Sequence, residues 1–328
     1  DIQSYLNKRK PGNSPYSSSR KETDLVEILS GIFHGRTTGT PISLLVKNED
    51  ANSNAYETLA ATYRPGHADY TYDSKYGIRD YRGGGRSSGR ETVGRVAAGA
   101  IAVKLLTTLG ITLQTFVKSI GPITIPECEY HYEEITSNDL GMPNLHYANQ
   151  ALQYVETCMQ NGDSCGSIIE CRINHLPTGL GEPVFDKLDA CLAKAILSIG
   201  GVKGFEIGDG FLAASSLGSK QNDEFYYTDH EFHKRTNHSG GVLGGISDGA
   251  QLVFRAAMKP TPSISTRQQT VSNIGDAIEL AISGRHDPVL APRGVVVVEA
   301  MAAITLVDSL FINMPSRLDH LVKFYTEY

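Results

Sequence analysis

Apolar residues recur at helical spacing in several segments of the chain. The clearest case is 91–109, where the following side chains fall on one face of a helix: Val93, Val96, Ala97, Ala100, Ile101 and Leu105. Glycines at positions 94 and 99 indicate close packing of this helix against a neighbour. The helices predicted from this pattern cover residues 1–10, 54–62, 91–109, 145–161, 185–199 and 294–314.

Shorter runs rich in β-branched and aromatic residues lie between these helices and predict strands. They cover residues 25–33, 41–47, 111–120, 166–175, 202–207 and 251–258. The glycines in 35–39 indicate a hairpin between the first two strands. Polar or glycine-rich composition predicts loops at 13–19, 176–182, 219–237 and 260–272, the third as a surface excursion.

Hairpins as well as single strands alternate with the helices, and this order favours an α+β fold over a parallel doubly wound sheet. A strand-rich part followed by a long helix occurs around 25–109 and again around 166–200 and 239–314. No linker or low-complexity segment divides the chain. A single domain over residues 1–328 is therefore predicted.

Composition limits the class of protein. The 328 residues are 40% hydrophobic, enough for a large core, and the formal net charge is −6. Five cysteines form no Cys-x-x-Cys pair, so we expect reduced thiols in a cytoplasmic protein. The longest apolar run, 294–314, is interrupted by Glu299 and Asp308, which favours a buried helix over a membrane span.

Residues 64–95 form a cationic stretch, with seven Lys or Arg residues against four acids. Three consecutive glycines, 83–85, allow successive backbone N–H groups to line one concavity. Ser87 or Ser88 is a candidate N-cap for the next helix, and a helix N-terminus favours an anion. Arginines bind phosphate or carboxylate with paired hydrogen bonds, and His67 can titrate near neutral pH. The stretch predicts a site for a small ligand with several negative charges.

Each of these features also has a plainer interpretation. Three glycines most often form a flexible loop, a lone histidine is more often structural, and spaced arginines usually lie on a solvated face. The stretch is not a P-loop, because it contains no Gly-x-x-x-x-Gly-Lys-Ser/Thr. Nucleic-acid binding is disfavoured by the net charge of −6 and by the lack of stacking aromatics among residues 82–95. The combination within one short run still favours the anion site.

Several motifs, in order, resemble the signature segments of the bacterial chorismate synthase family. The central stretch matches at residues 64–72, 75–80 and 83–92, beginning with Arg-Pro-Gly-His-Ala-Asp. Further matching segments are residues 26–31, 179–185, 239–246, 259–263 and 284–288. The resemblance extends over essentially the whole chain. It implies a single-domain α-β sandwich with helices packed between antiparallel sheets, usually assembled as a homotetramer.

The resemblance further implies a lyase of the shikimate pathway. Such an enzyme converts 5-enolpyruvylshikimate 3-phosphate into chorismate and phosphate by anti 1,4-elimination, and it requires reduced FMN without net redox change. No Gly-x-Gly-x-x-Gly follows a strand, so NADPH is expected to act only indirectly, through an external flavin reductase. No metal, nucleic acid or membrane is expected. The open alternative is a non-catalytic anion-binding or regulatory protein on the same scaffold.

The resemblance assigns roles to individual residues. His67 matches a proton donor near the flavin, and Asp287 matches an aspartate near flavin N5. The positions that match flavin contacts are Arg86, Ser87, Ser88, Gly200, Gly201, Gly244, Lys259, Pro260, Thr261, Pro262, Ser263 and Arg285. The positions that match substrate-binding arginines are Arg9, Arg20, Arg64, Arg90 and Arg285. For Asp287 and the three glycines, an ordinary turn is the alternative.

The chain departs from the family pattern in two places. The family's N-terminal strand and its Gly-x-Ser-His-Gly segment have no counterpart in the printed residues, so inactivity of this chain by itself is one expectation. Pro15 stands where many bacterial relatives carry an arginine, which weakens the expected anion clamp and any dinucleotide contact. The role of His286 stays open, because neighbours on an extended segment point in opposite directions.

Overall fold

The computed structural model describes residues 1–12, 16–17, 20, 22–49, 59–82, 85–282 and 286–326. The chain divides into two compact units. The first unit contains Asp1–Ala97, Phe116–Ile168 and Met258–Val297, and the second contains Ala98–Thr115, Ile169–Ala257 and Val298–Tyr328. The single domain over 1–328 stays a prediction.

The α-helices in the described part of the chain range from one turn to six. They are α1 (Ile2–Arg9), α2 (Asp69–Tyr76), α3 (Thr92–Thr108), α4 (Leu145–Gln160), α5 (Leu188–Leu197), α6 (Gly218–Gln221), α7 (Ala291–Asn313) and α8 (Leu318–Thr326). The predictions for 1–10, 91–109, 145–161, 185–199 and 294–314 are confirmed within three residues at each end. Most of the helix predicted at 54–62 falls outside the described residues.

The strands mostly form antiparallel pairs. They are β1 (Val26–Ile28), β2 (Ile32–Phe33), β3 (Arg36–Thr37), β4 (Leu44–Val46), β5 (Thr112–Ile120), β6 (Ile123–Thr124), β7 (Ser167–Asn174), β8 (Val202–Ile207), β9 (Phe225–Thr228), β10 (Glu231–Lys234), β11 (Val242–Leu243), β12 (Ile246–Ser247), β13 (Leu252–Met258), β14 (Gln268–Val271) and β15 (Ala277–Leu280). The six predicted strand regions are confirmed, and the first becomes β1 and β2.

The predicted N-terminal hairpin is present in the first unit. β1 and β4 pair antiparallel, with Glu27 opposite Leu45. A smaller hairpin of β2 and β3 is nested inside, and it turns at His34 and Gly35 with φ of 46° and 74°. This left-handed backbone suits the tight turn that joins two twisted strands.

A five-stranded sheet has the order β6-β5-β7-β13-β8. Its central strands are buried almost without alternation, and Phe116, Ile169, Cys171 and Phe254 are inaccessible to solvent. Such continuous burial means that both faces of these strands are covered. The α+β prediction is confirmed, and the structure adds that the antiparallel sheet is curled.

Helices α3 and α7 are the predicted core helices. In the second unit, Gly99 lies so close to Ala300 that an added Cβ would be 2.3 Å from the Ala300 Cβ, whereas nothing lies within 4 Å of a Cβ at Gly94. Close packing is therefore confirmed at one of the two glycines. α7 is long and apolar enough to cross a membrane, but Ala302 and Leu306 are fully buried, which fits the predicted core helix.

Some elements were not predicted. The 219–237 excursion is largely exposed as expected, but it contains the hairpin of β9 and β10. The loop predicted at 260–272 ends in β14, which pairs with β15. Helix α2 was not predicted, because its sequence, DYTYDSKY, has no apolar stripe. The glycine that ends this helix is nevertheless visible in the sequence: Gly77 is its C-cap, with φ 73°, and the Gly77 N–H donates to the Asp73 carbonyl.

Candidate active site

A buried carboxylate, Asp69, organises the loop before α2 in the first unit. Arg64 donates to it from Nε and from Nη2, each at 2.7 Å, and from its backbone N–H at 3.1 Å. Both side chains are about 5% exposed. A paired, nearly dry interaction of this kind fixes the guanidinium in one orientation.

His67 joins this pair through one ring nitrogen. Its Nδ1 lies 3.0 Å from Asp69 Oδ1 and 3.0 Å from Arg64 Nη2. The ring is 15% exposed, so it lies at the surface of the cluster. His67, Arg64 and Asp69 therefore form one interacting Arg-His-Asp group.

Arg79 closes the same loop from the other side. Its Nη1 lies 3.1 Å from Asp69 Oδ1, and its Nη2 donates to the carbonyls of Leu59, Ala60 and Thr62. Sequence reasoning assigned no role to Asp69 or Arg79. The signal that could have found them is an acid inside an arginine-rich motif, because such an acid is seldom left unpaired.

The electrostatics of Asp69 follow from this crowding. Burial alone would raise the pKa of Asp69, but hydrogen bonds from Arg64 and His67 hold it far below its usual range. The carboxylate is therefore ionised throughout the neutral pH range.

A second buried carboxylate, Asp24, holds two of the predicted substrate arginines. Arg9 Nη1 donates to Asp24 Oδ2 at 2.9 Å, and Arg90 Nη1 lies 3.3 Å from Asp24 Oδ1. Arg9 also donates from Nε to Thr92 Oγ1 at 2.9 Å and from Nη2 to the Gly89 carbonyl at 3.0 Å. Burial, followed by repulsion from Arg293, lowers the pKa of Arg9 to about 10.

Glu22 extends this group to Arg20. Arg20 Nη2 donates to Glu22 Oε1 at 2.9 Å, and Arg90 Nη2 donates to Glu22 Oε2 at 3.3 Å. The arginines differ in access: Arg20 and Arg90 have side chains 26% and 22% exposed, whereas Arg9 is 3% exposed. Arg20 and Arg90 are the two that face solvent.

Asp287 connects to the Arg9 segment through Arg293. Arg293 Nη1 donates to Asp287 Oδ2 at 2.6 Å, and Arg293 Nε donates to the Arg9 carbonyl at 2.9 Å. Thr261 Oγ1 donates to the Asp287 carbonyl at 2.7 Å. Asp287 is thus a bonded member of the cluster rather than an isolated turn residue.

His286 precedes Asp287 and is half-buried. Burial, followed by the positive charge of Arg64, lowers the pKa of His286, while the Asp287 carboxylate opposes this shift. Segment 259–263 connects the pair at 286–287 to the Arg64 loop, because Thr261 Oγ1 donates to the Asp287 carbonyl and Lys259 Nζ donates to the Gly66 carbonyl.

The predicted flavin segment 259–263 runs beside that loop. Lys259 Nζ donates to the Gly66 carbonyl, and a Cβ added at Gly66 would be 3.3 Å from Pro262 Cβ. Thr261 and Ser263 are largely buried, and Pro260 is exposed. On the helix side, Ser88 caps the turn before α3 by accepting from the Arg90 N–H at 3.3 Å, as predicted. Arg86 is exposed.

The remaining predicted positions are elsewhere. Gly200, Gly201 and Gly244 belong to the second unit, where Gly201 and Gly244 adopt φ of 96° and 61° in turns. Arg285, Pro15 and two of the three consecutive glycines lie outside the described residues. Within the described part of the chain, no group of three or more His, Cys, Asp or Glu side chains could hold a metal ion.

Comparison with known proteins gives a consistent result. A family model described as chorismate synthase matches residues 1–311. Chorismate synthases of Agathobacter rectalis and Lachnoclostridium phytofermentans are 58% and 60% identical to the chain, each over 99% of it and 89% of the relative. A crystal structure of a chorismate synthase superposes with a TM-score of 0.76 at 29% identity, covering 100% of this chain and 88% of that one.

Proposed function

The chain belongs to the chorismate synthase family, and from that membership we propose a flavin-dependent mechanism for its reaction. Membership makes it an enzyme that converts 5-enolpyruvylshikimate 3-phosphate into chorismate in the shikimate pathway. The proposal adds that the elimination is anti 1,4, and that it requires reduced FMN with no net redox change.

One observation carries the proposal. His67, the flavin segment 259–263 and the pair at 286–287 come from distant parts of the sequence, yet the contacts of Lys259 with Gly66 and of Thr261 with Asp287 bring them together in the first unit. A histidine, a carboxylate, a lysine and several arginines in one region suit a substrate with two carboxylates and a phosphate.

The residues present fit a flavin phosphate and ring. Lys259 and the exposed Arg86 are cations, and Thr261 and Ser263 offer hydroxyls in the same segment as Lys259. When bound, reduced FMN would lend an electron to the substrate and take it back, so that no net redox change results. In this proposal, Arg86 and Lys259 hold the phosphate or the ring carbonyls of FMN.

The chain's own residues have separate tasks. Arg20 and Arg90, the partly exposed arginines, bind the substrate anions, while the buried Arg9 and Arg64 stabilise the loops behind them. His67 delivers a proton from Nε2. Asp287, oriented by Arg293 at 2.6 Å, is the base that accepts the proton lost from the reactants. Direct ligand contacts for Arg9, Arg64 and Arg285 stay predictions.

The test is an anaerobic assay of the full-length protein with substrate and chemically reduced FMN. We expect chorismate and phosphate in equal amounts, and tighter FMN binding once substrate is present. Binding of substrate and FMN without product would favour the non-catalytic anion-binding alternative. Turnover driven by NADPH alone, with no added reductase, would contradict the proposed need for an external flavin reductase.

Location and assembly complete the proposal. We place the enzyme in the cytoplasm, supported by five free cysteines and by α7 as a core helix. We also propose a homotetramer. Exposed aromatic side chains such as Phe185 and Phe211, 90% and 84% accessible in the single chain, support association with further copies.

A further inference from the structure

We propose that Asp69 is a positioning residue for His67, holding the imidazole with its hydrogen on Nδ1 so that Nε2 is the atom that exchanges a proton with the reactants. This inference rests on the proposed function, in which His67 is a proton donor. It concerns a residue to which the sequence assigned no role.

The first support is the rigidity of the carboxylate. Asp69 is the first residue of α2, and Arg64 holds both of its oxygens while Arg79 contacts Oδ1 at 3.1 Å. The side chain is 5% exposed. Because Arg64 and Arg79 hold the Asp69 carboxylate in place, a hydrogen bond to it holds the His67 imidazole in place as well.

The second support is the choice of tautomer. Nδ1 lies equally close, at 3.0 Å, to Asp69 Oδ1, which can only accept when ionised, and to Arg64 Nη2, which can only donate. Arg64 Nη2 already donates to Asp69 Oδ1 at the shorter distance of 2.7 Å. An Nδ1 lone pair facing this anionic oxygen would be repelled, whereas an Nδ1–H is attracted to it. The carboxylate therefore decides the tautomer.

The third support is the state of the carboxylate itself. Its pKa is held far below the usual range by Arg64 and His67, against the effect of burial. Asp69 thus remains an ionised acceptor throughout the neutral pH range. The other groups that bear on the ring are cationic Arg64 and the titratable His286.

A matched control lies one turn further along α2. Asp73 carries the same charge and contacts the same Arg79, at 3.3 Å from its Nε, but it has no contact with His67 among the described interactions. Asp73→Asn therefore removes a carboxylate from the same helix and the same arginine without touching the imidazole. An effect of Asp69→Asn that Asp73→Asn does not share therefore comes from the contacts of Asp69 with His67 or Arg64, and the tautomer of His67 tells these two apart.

The first experiment reads the tautomer directly and needs neither cofactor nor substrate. Full-length protein labelled with ¹⁵N-histidine is examined by long-range ¹H–¹⁵N correlation, and the His67 signals are assigned by their loss in His67→Gln. We expect an Nδ1–H imidazole in the unmodified protein and a change of tautomer in Asp69→Asn, with Asp73→Asn unchanged. An Nε2–H imidazole in the unmodified protein overturns the proposal, even if no Asp69 variant folds.

The second experiment follows turnover against pH. We expect Asp69→Asn to lower kcat by about 10²–10⁴-fold with little change in KM. Loss of the neighbouring negative charge should also move the alkaline fall of activity to lower pH. Asp69→Glu should recover part of the rate, because it keeps the charge. A uniform loss of activity with an unmoved pH profile, shared by Asp73→Asn, would mean a purely structural Asp69.

The two proposals fail in different ways. If the unmodified protein makes no chorismate, the proposed function is wrong, and the tautomer result still stands as a measurement. If it makes chorismate while Asp69→Asn keeps the tautomer, rate and pH profile, only the positioning role is wrong.

Discussion

At the scale of single residues, two buried carboxylates hold the arginines of the candidate site. Asp69 holds Arg64, and Asp24 holds Arg9 and Arg90, and both carboxylates have little solvent access. An ion pair out of water gains little net stability, but removing one partner leaves an uncompensated charge that is costly. These acids therefore determine where the arginine side chains lie, and those positions decide which arrangement of negative charges a ligand must have to bind.

The first prediction concerns His67. His67→Ala should lower turnover by about 10²–10⁴-fold while reduced FMN still binds, because a general acid acts on the reacting atoms rather than on cofactor affinity. Rates are measured per folded molecule in the anaerobic assay. The exposed His131 provides the control, and His131→Ala should leave turnover unchanged. Full activity of folded His67→Ala, with only its stability reduced, would remove His67 from the mechanism.

The second prediction concerns Asp24. Asp24→Asn should reduce the free energy of unfolding by about 3–5 kcal/mol, because Arg9 would keep its buried charge without its anionic partner. Urea denaturation measures the change. The matched control is Asp80→Asn, which breaks the exposed pair between Asp80 and Arg82 and should leave the free energy of unfolding nearly unchanged. Equal losses in the two variants would contradict a supporting role for Asp24.

At the scale of elements, α3 serves both the site and the core. In the turn just before it, Ser88 accepts from the Arg90 N–H, and the first residue of the helix, Thr92, accepts from Arg9 Nε. Further along, Gly99 permits close approach to α7 at Ala300. The same helix thus supports an arginine of the site at one end and packs against α7 at Gly99.

The third prediction compares two glycines of α3. Gly99→Ala should destabilise the protein by about 1–3 kcal/mol or more, since the new methyl would overlap Ala300. Gly94→Ala should be neutral or stabilising by up to about 1 kcal/mol, because it meets open space and alanine favours helix. Thermal denaturation of both variants measures the difference. Restoring space with Ala300→Gly should recover part of the Gly99→Ala loss, and a purely additive double variant would speak against the contact.

At the scale of the whole molecule, the proposed assembly has a direct test. Sedimentation equilibrium or light scattering of the full-length protein should give four times the mass of one subunit, which for the residues here is 35.5 kDa. Large apolar side chains such as Phe185, Phe211 and Leu217 are exposed in the single chain. We expect the backbone amides near them to exchange more slowly in the assembled protein. A monomer at micromolar concentration, with these segments unprotected, would refute the tetramer.

The sequence by itself determined the long elements. Residues 91–109 and 294–314 form helices, and 111–120 and 166–175 form strands, because long apolar periodicity and continuous apolar runs leave few other ways to bury the same surface. Helix α2 was missed for the converse reason, because it has no apolar stripe, and the strands of the β14–β15 hairpin were missed because each is only four residues long. Family membership was also legible, since several long motifs occur in order and the comparisons confirm it.

Only the tertiary structure decided which charges meet. No local pattern pairs Arg9 with Asp24 and Thr92, ties Arg293 to both Asp287 and the Arg9 carbonyl, or sets Lys259 against Gly66. These contacts join residues that lie 6 to 284 positions apart, and the fold creates them by bringing loops together. Asp69 gained its importance in the same way, because a carboxylate becomes a fixed partner only when burial and neighbouring cations remove its freedom and its access to water.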